Sequence, residues 1–172
     1  VNVFFTILIN TGMRISECIA LEWDDIDFNQ QILSINKQYY RFRLTSTKNC
    51  ETREIEIPNS LINLLNDYKK VNNNKLLFSL NDGRYINVNN LRERYFNRYI
   101  KEIEQELHCN MQDITPHCLR HTHASTLLSN GIPIKYVSKR LGHRNQKTTL
   151  DIYDHVLQAD KKNAIKILNM FY

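Results

Sequence analysis

The sequence predicts an α+β domain that is mostly helical and contains one small antiparallel sheet. Three observations predict this fold class. Apolar residues recur at helical spacing over most of the chain. The stretch between Trp23 and Pro58 instead has short alternating apolar runs separated by polar turns. Finally, a length of 172 residues with only four glycines and three prolines favours one domain without a flexible linker.

The apolar spacing places each element in order along the chain. A first helix is expected over residues 1–10 and ends at a Thr-Gly pair, and a second runs from residue 13 to about 21. Short strands follow between residues 32 and 57, the last of them just before Pro58. The remaining predicted helices lie after Pro58, at about 61–68, 88–107, 116–130, 134–141, 148–154 and 160–170.

Composition and charge exclude several classes of protein. The 42% hydrophobic and 24% charged residues are close to the average for globular proteins, which argues against a disordered or fibrous chain. No apolar run approaches the roughly 18–20 residues that span a bilayer, so no membrane role is expected. The net charge of +5 permits an anionic partner without identifying one. The four cysteines form no CxxC pair and are expected to be reduced thiols.

Two pairs of residues at helix starts could bind an anion. His117 and Arg120 are three positions apart on the helix that opens at Thr115-Pro116, so both project from one face near its positive end. Arg14 and Glu17 have the same spacing, and the carboxylate could hold the guanidinium for bidentate phosphate contact. The alternatives are ordinary solvated residues for the first pair and a surface salt bridge for the second.

Lys48 and Tyr153 could also take part in phosphate chemistry. Lys48 lies in a turn ahead of the last strand, where a hairpin tip could present its ammonium to a DNA backbone or a leaving oxygen. A lone lysine in a turn is more often simply solvated. Tyr153 follows the Leu-Gly-His exit at His143 by ten positions and could be a core residue or a nucleophile. A phenol has a pKa of about 10, so it attacks poorly unless cations and a base help remove its proton.

Taken together, these motifs resemble the catalytic domain of the tyrosine recombinases, or phage-type integrases. The motifs TGMRISE, TPHCLRHTHAS and LGH occur in the family order. Two supporting positions, Glu17 and His121, resemble the family's acidic partner of the first arginine and a second histidine after the HxxR box. The six positions that resemble the catalytic set are Arg14, Lys48, His117, Arg120, His143 and the nucleophile Tyr153.

Two residues could be equivalent to the catalytic lysine that the family carries in its sheet. Residues 36–46, NKQYYRFRLTS, form a long aromatic and basic stretch before Lys48, and Lys37 within it could be the equivalent residue. Lys48 is preferred because it precedes the final strand in the tip position that the family uses, whereas Lys37 would end the first strand.

A metal site is the main chemical alternative on the helix after Pro116. Four possible ligands crowd about one turn and a half of it: His117, Cys118, His121 and His123. No CxxC pair or acidic third ligand is evident nearby, and the family resemblance explains the histidines without zinc. We therefore expect no metal.

The resemblance implies DNA strand exchange without a metal or nucleotide cofactor. In that reaction Tyr153 attacks a backbone phosphate, forms a 3′-phosphotyrosyl link and releases a 5′-hydroxyl, while Arg14 and Arg120 clamp the phosphate. Lys48 is expected to protonate the leaving oxygen. His117 is expected to help accept the tyrosine proton.

His143 is expected to donate a hydrogen bond to a nonbridging oxygen. Two other functions share the same fold and remain alternatives: a type IB topoisomerase that nicks and reseals one strand, and a catalytically inactive DNA-binding regulator.

The resemblance also implies partners and surroundings. We expect double-stranded DNA as the partner and a homotetramer on synapsed sites that is monomeric or weakly associating without DNA. A directionality factor is a further candidate partner. Residues 1–172 are expected to form one catalytic domain, the C-terminal part of a longer integrase with an upstream core-binding domain, and 160–172 to dock on a neighbouring protomer. The abundant Asn, Lys, Ile and Tyr indicate an AT-rich genome and a mobile element or prophage, but composition does not separate an integrase from a transposon recombinase or a chromosome-dimer resolvase. We prefer an integrase of a prophage or conjugative transposon, and the resemblance implies that it acts on the nucleoid in a bacterial cytoplasm.

Overall fold

The computed structural model describes residues 2–46, 52–80, 82–111, 113–143 and 145–154. The chain divides into two compact units, Val1–Arg120 and His121–Tyr172. The first unit contains all the described strands and most of the helices, and the described part of the second is helical. The predicted fold class, mostly helical with a small antiparallel sheet, is confirmed.

Two helices open the first unit. Helix α1 (Asn2–Thr11) ends where Gly12 has a φ of 65°, a left-handed conformation that glycine adopts more easily than other residues. Helix α2 (Ile15–Ile19) is shorter than the predicted 13–21. The reason is that Arg14 has extended backbone, with φ −73° and ψ 149°, and therefore caps the helix instead of joining it.

The strands form two sheets where the sequence predicted one. Strands β1 (Ile26–Asp27), β2 (Ile32–Ile35) and β5 (Arg53–Glu56) form an antiparallel sheet in the order β1-β2-β5. Strands β3 (Lys37–Tyr40) and β4 (Arg43–Ser46) pair only with each other. All four side chains of β4 are exposed, while Tyr39 of β3 is partly buried and packs against the core of the first unit.

The described helices agree closely with the predicted positions, and the helix predicted at about 160–170 lies outside the described residues. Helix α3 (Asn59–Val71) begins directly after Pro58. The helix predicted over 88–107 is present as α4 (Val88–Asn90), a π-helical segment and α5 (Asn97–Leu107). Then come α6 (Pro116–Ser129), α7 (Ile134–Leu141) and a helical segment, 147–154. Among the described residues, no helix is long and apolar enough to cross a membrane.

Each unit has its own apolar core. In the first, α1, α2, the three-stranded sheet and α3 bury their apolar faces together, with Leu8, Ile19, Ile55 and Leu65 among the residues least exposed to solvent. In the second, α6, α7 and the 147–154 segment share a smaller cluster: Ala124, Leu128, Val137, Leu141 and Ile152. These cores fix the start of α2 against the sheet and the 147–154 segment against α7.

Candidate active site

Arg14 is held at the start of α2 by Glu17. The Glu17 carboxylate accepts the Arg14 backbone N–H through Oε2 at 2.8 Å and the Arg14 Nη1 through Oε1 at 2.9 Å. The Glu17 side chain is 1% exposed, whereas that of Arg14 is 32% exposed. The predicted pair is therefore present as a buried carboxylate that orients a partly exposed guanidinium, and it is not a surface salt bridge.

Arg53 completes this ion pair, and the sequence interpretation missed it. Its guanidinium donates from Nη1 to Glu17 Oε1 at 3.1 Å and from Nη2 to Glu17 Oε2 at 2.7 Å. Arg53 is buried at the start of β5, on the same inward side as Ile55. A cation that alternates with apolar residues on an inward face requires a buried anionic partner, and that pattern was the available signal.

The electrostatics of Glu17 follow from these contacts. Burial raises the pKa of Glu17, but the hydrogen bonds and charges of Arg53 and Arg14 outweigh this, so its pKa lies below the usual value. Because the folded-state pKa is depressed, the stability that ionised Glu17 contributes is present above the unfolded pKa. That stability is lost as the pH falls through the lower folded pKa.

We predict that Glu17→Gln lowers the free energy of unfolding by about 3 kcal/mol near neutral pH, because it leaves buried guanidinium groups without their anion. The difference between variant and parent should shrink in acid, where Glu17 itself becomes protonated. Urea unfolding at neutral and acidic pH measures both effects. Glu102→Gln, in an exposed pair with Arg98, is the matched control and should change little. Equal stability of Glu17→Gln and parent at neutral pH would contradict the prediction.

Arg120 belongs to the same cluster. It is 4% exposed, and its Nη1 donates to the Gly12 carbonyl oxygen at 2.7 Å. Burial and the positive charges of Arg14 and Arg53 together lower the pKa of Arg120 to about 9, although the negative charge of Glu17 opposes them. The guanidinium therefore stays charged at neutral pH. Three arginines around one carboxylate give this cluster two positive charges in excess, which suits a phosphate.

The two candidate sheet lysines differ in what the structure describes. Lys48 lies outside the described residues, so its assignment remains a prediction. Lys37 Nζ lies 2.8 Å from Asp25 Oδ2 and 3.2 Å from Glu22 Oε2. Burial lowers the pKa of Lys37, but the hydrogen bonds and charges of Asp25 and Glu22 raise it above its usual value overall. A lysine held in this way is a poor proton donor, which favours Lys48 for that role.

The histidines of α6 have different surroundings. His117, in the first turn and in the first unit, and His121, in the second unit, are both exposed. His123 is half-buried, and its Nε2 accepts a hydrogen bond from Arg140 Nε at 3.1 Å within the second unit. The described residues contain no group of three His, Cys, Asp or Glu side chains that could hold a metal ion.

In the second unit, a hydrogen bond links His143 to the segment that carries Tyr153. His143 follows α7 after Gly142, whose φ of 64° ends that helix. The Nδ1 atom of His143 lies 2.8 Å from Oγ1 of Thr149, which is fully buried in the 147–154 segment. Tyr153 is half-buried in the same segment and packs against the core of this unit. The ring of His143 is therefore fixed through one nitrogen.

Comparison with known proteins decides the family. Residues 2–160 match the model of the phage integrase family. The chain belongs to this family. The resemblance drawn from the motifs is thus confirmed.

The relatives of this integrase-family chain are recombinases of several kinds. It is 31% identical to a tyrosine recombinase XerC-like protein of Caldanaerobacter subterraneus over 96% of this chain and 48% of that protein. It is 30% identical to the ICEBs1 integrase of Bacillus subtilis over 92% of this chain and 46% of the relative. The chain spans about half the length of these curated relatives.

Solved structures of recombinases share the fold of this integrase-family chain. A Tn1549 transposon integrase in complex with a circular intermediate DNA is similar, with a TM-score of 0.80 at 21% identity, over 94% of this chain and 57% of the other. At that identity the similarity shows the fold, which agrees with the fold class predicted from the sequence.

The structure places five of the predicted site residues of this integrase-family chain in two groups. In the first unit, Arg14, Glu17 and Arg120 form one cluster, to which Arg53 is added. In the second unit, Thr149 joins the group: it hydrogen-bonds His143 and lies in the same helical segment as Tyr153. Like Arg53, Thr149 was missed. A threonine close to a candidate nucleophile, on the helical face that turns inward, was the signal for it.

We predict that Thr149→Val slows DNA cleavage by about tenfold, because it removes the hydrogen bond that orients His143 while keeping the shape of the side chain. The measurement is the rate at which a covalent protein–DNA adduct forms. Thr148→Val, an exposed position in the same segment, is the matched control and should cleave at the parent rate. Equal rates for the two variants would show that Thr149 does not act through His143.

Proposed function

We propose that this chain is the catalytic part of a site-specific DNA recombinase that cuts and rejoins strands through a 3′-phosphotyrosine, without a metal or nucleotide cofactor. The observation that carries the proposal is the cluster of Arg14, Arg53 and Arg120 around the buried carboxylate of Glu17. Membership of the phage integrase family supports it. The relatives are named as recombinases, integrases and a transposase, which does not favour the topoisomerase or inactive-regulator alternatives.

The chemistry follows from residue types. Attack of the Tyr153 oxygen on phosphorus forms a tyrosyl P–O bond and breaks the bond to the 5′ oxygen. The tyrosine proton passes to a base, for which His117 is proposed, and the 5′ oxygen gains a proton from Lys48. The pentacoordinate phosphorus concentrates negative charge on its nonbridging oxygens. Fixed guanidinium groups of Arg14 and Arg120 stabilise that charge.

The hydrogen bond from His143 to a nonbridging oxygen completes the proposed site. Attack by a free 5′-hydroxyl on the phosphotyrosine reverses every one of these steps. The energy of the phosphodiester is retained in the adduct, so rejoining needs no ATP. A second round on the other strand pair completes the exchange.

The partners of the whole protein belong to the same proposal. We propose that the chain acts on duplex DNA as a homotetramer across synapsed sites, with residues 160–172 docking on a neighbouring protomer and an upstream core-binding domain completing the grip on DNA. The match covers 48% and 46% of two of the relatives, so more than half of each relative lies outside it and could contain such a domain. We further propose that it integrates and excises a prophage or conjugative transposon on the bacterial nucleoid, with the help of a directionality factor. Its similarity to the ICEBs1 integrase and to the Tn1549 transposon integrase structure supports this role.

The test is a search for a covalent intermediate. The full-length protein is incubated, in EDTA, with a pool of nicked duplexes taken from DNA that flanks the mobile element. An adduct between protein and DNA that survives SDS supports metal-free tyrosine catalysis, and sequencing the trapped DNA identifies the site. Salt-sensitive binding without any adduct, persisting when host extract is added to supply accessory factors, would favour the inactive regulator.

A further inference from the structure

Arg53 makes two hydrogen bonds to Glu17, although none of the recognised motifs contains it. We propose that Arg53 is a positioning residue for strand cleavage: by fixing the Glu17 carboxylate, it fixes where Arg14 meets the phosphate. This inference rests on the proposed function, in which Arg14 binds a nonbridging oxygen.

The geometry shows how Arg53 sets Arg14. Each oxygen of Glu17 accepts one hydrogen bond from each arginine. Oε1 accepts Arg14 Nη1 at 2.9 Å and Arg53 Nη1 at 3.1 Å, while Oε2 accepts the Arg14 backbone N–H at 2.8 Å and Arg53 Nη2 at 2.7 Å. The planar fork of Arg53 therefore fixes the plane of the carboxylate, and that plane determines the direction in which Arg14 is held. A lysine would supply the charge without fixing the plane.

The elements that carry the three residues explain why an anchor is needed. Helix α2 is five residues long, and a helix so short has little stability of its own. Arg14 lies at its N-terminal end and is 32% exposed. Arg53, in contrast, begins β5, which is paired with β2 and buries Ile55 in the core. The bond from Arg53 to Glu17 thus ties the end of a short helix to a packed sheet.

Stability alone does not account for this arrangement. The cost of removing two ions from water largely offsets the attraction within a buried ion pair. Apolar residues in place of the pair therefore often stabilise the folded protein equally well. Here two guanidinium groups bond one carboxylate and the charge of a third, on Arg120, acts on all of them, so mutual repulsion of the arginines adds to that cost. An arrangement that positions a partly exposed Arg14 explains the cluster better than one that only holds the fold together.

Burial separates the effect of Arg53 on the rate from its effect on DNA affinity. Arg53 is 9% exposed, so it has little surface with which to contact a phosphate itself. Its loss should therefore leave DNA affinity within about threefold of the parent. A displacement of Arg14 by about 1 Å can cost about 100-fold in rate, and we expect Arg53→Met to slow cleavage by about that factor.

The experiment is a double-mutant cycle in the full-length protein. Arg53→Met, Arg53→Lys, Arg14→Ala and the Arg14→Ala/Arg53→Met double variant are compared by single-turnover cleavage of a nicked duplex at saturating protein. DNA affinity and melting temperature are measured on the same preparations. If Arg53 acts through Arg14, the double variant cleaves no more slowly than Arg14→Ala alone. Arg53→Lys should recover only part of the lost rate.

A stability control and the contrary outcomes complete the test. Leu65→Ala weakens the core at α3, away from the cluster, and should retain the parent rate below its melting temperature. Additive rate losses in the double variant, a parent rate in Arg53→Met, or full recovery by lysine would each overturn the positioning role. If Arg53→Met does not fold, the cycle is run with Arg53→Lys.

Failure of the proposed function gives a different result. In that case the parent itself forms no adduct, whatever residue occupies position 53. The melting temperatures still test the link between Arg14 and Arg53: losses smaller in the double variant than the sum of the single losses support it, and additive losses overturn it.

Discussion

Tyr153→Phe is expected to abolish the covalent protein–DNA adduct and with it all recombination. The substitution removes the only oxygen of the side chain proposed to attack phosphorus, and no water-mediated route would leave the protein joined to DNA. Enzymes that lose a covalent nucleophile commonly lose about 10⁴-fold or more in rate. The measurement is gel detection of an SDS-resistant adduct on nicked duplexes in the presence of EDTA.

The same substitution should leave folding and DNA binding almost unchanged. Tyr153 packs its ring against the second core, and phenylalanine retains that ring. Tyr95→Phe, at an exposed tyrosine in the π-helical segment, is the matched control and should form adduct at the parent rate. A full yield of adduct from Tyr153→Phe would show that another residue is the nucleophile and would overturn the assignment of Tyr153.

Arg120→Ala is expected to slow cleavage by about 100–1000-fold, the usual cost of removing one fixed donor from a charged transition state. Its guanidinium is buried, charged at neutral pH and held by the Gly12 carbonyl, so the group is organised before DNA arrives. Single-turnover cleavage at saturating protein measures this loss without a contribution from weaker binding.

Arg120→Lys should also be severely impaired, because an ammonium cannot bond the Gly12 carbonyl and a phosphate with the geometry of a planar fork. Arg98→Ala removes an exposed arginine from α5 and serves as the control for loss of one positive charge. Cleavage by Arg120→Ala within a few fold of the Arg98→Ala rate would exclude Arg120 from the phosphate clamp.

Local pattern predicted most of the helices. The positions of α1, α3, α6 and α7 follow from apolar spacing and from glycine and proline signals that act within a few residues. The second helix was predicted too long because its apolar residues continue past both ends, whereas the backbone of Arg14 is already extended. Periodicity detects which side chains can face a core, and it does not detect where a cap begins.

The sequence predicted one sheet where the structure has two, and the reason is related. Alternation of apolar residues identified β2 and β5, which bury Leu33 and Ile55. The aromatic stretch that follows β2 was assigned to the same sheet, yet it pairs with β4 in a hairpin of its own. Strand partners depend on contacts between distant segments, and composition carries little information about them.

The site was predictable where residues cooperate along one helix. The i,i+3 pair of Arg14 and Glu17 could be predicted directly from the sequence. His117 and Arg120 have the same spacing, and their joint role at the site stays a prediction. Arg53 meets Glu17 across 36 positions of sequence, so nothing in its local pattern identified the partner. Thr149 and His143 lie six positions apart on either side of a turn, a spacing that no helical rule connects. The missed residues are those whose partners are brought close only by folding.

The turn at Gly12 limits how this molecule can vary by mutation. Its left-handed φ redirects the chain from α1 toward Arg14, and its carbonyl oxygen is the acceptor for Arg120. A residue with no side chain, no charge and no proposed part in the chemistry therefore aligns two of the cations to which the proposed reaction assigns the phosphate. Neutral drift can exchange many exposed charges on the surface, but a β-branched residue at this turn would misalign both arginines in one step. Tolerance to mutation in this domain is thus set by its backbone as much as by its reactive groups.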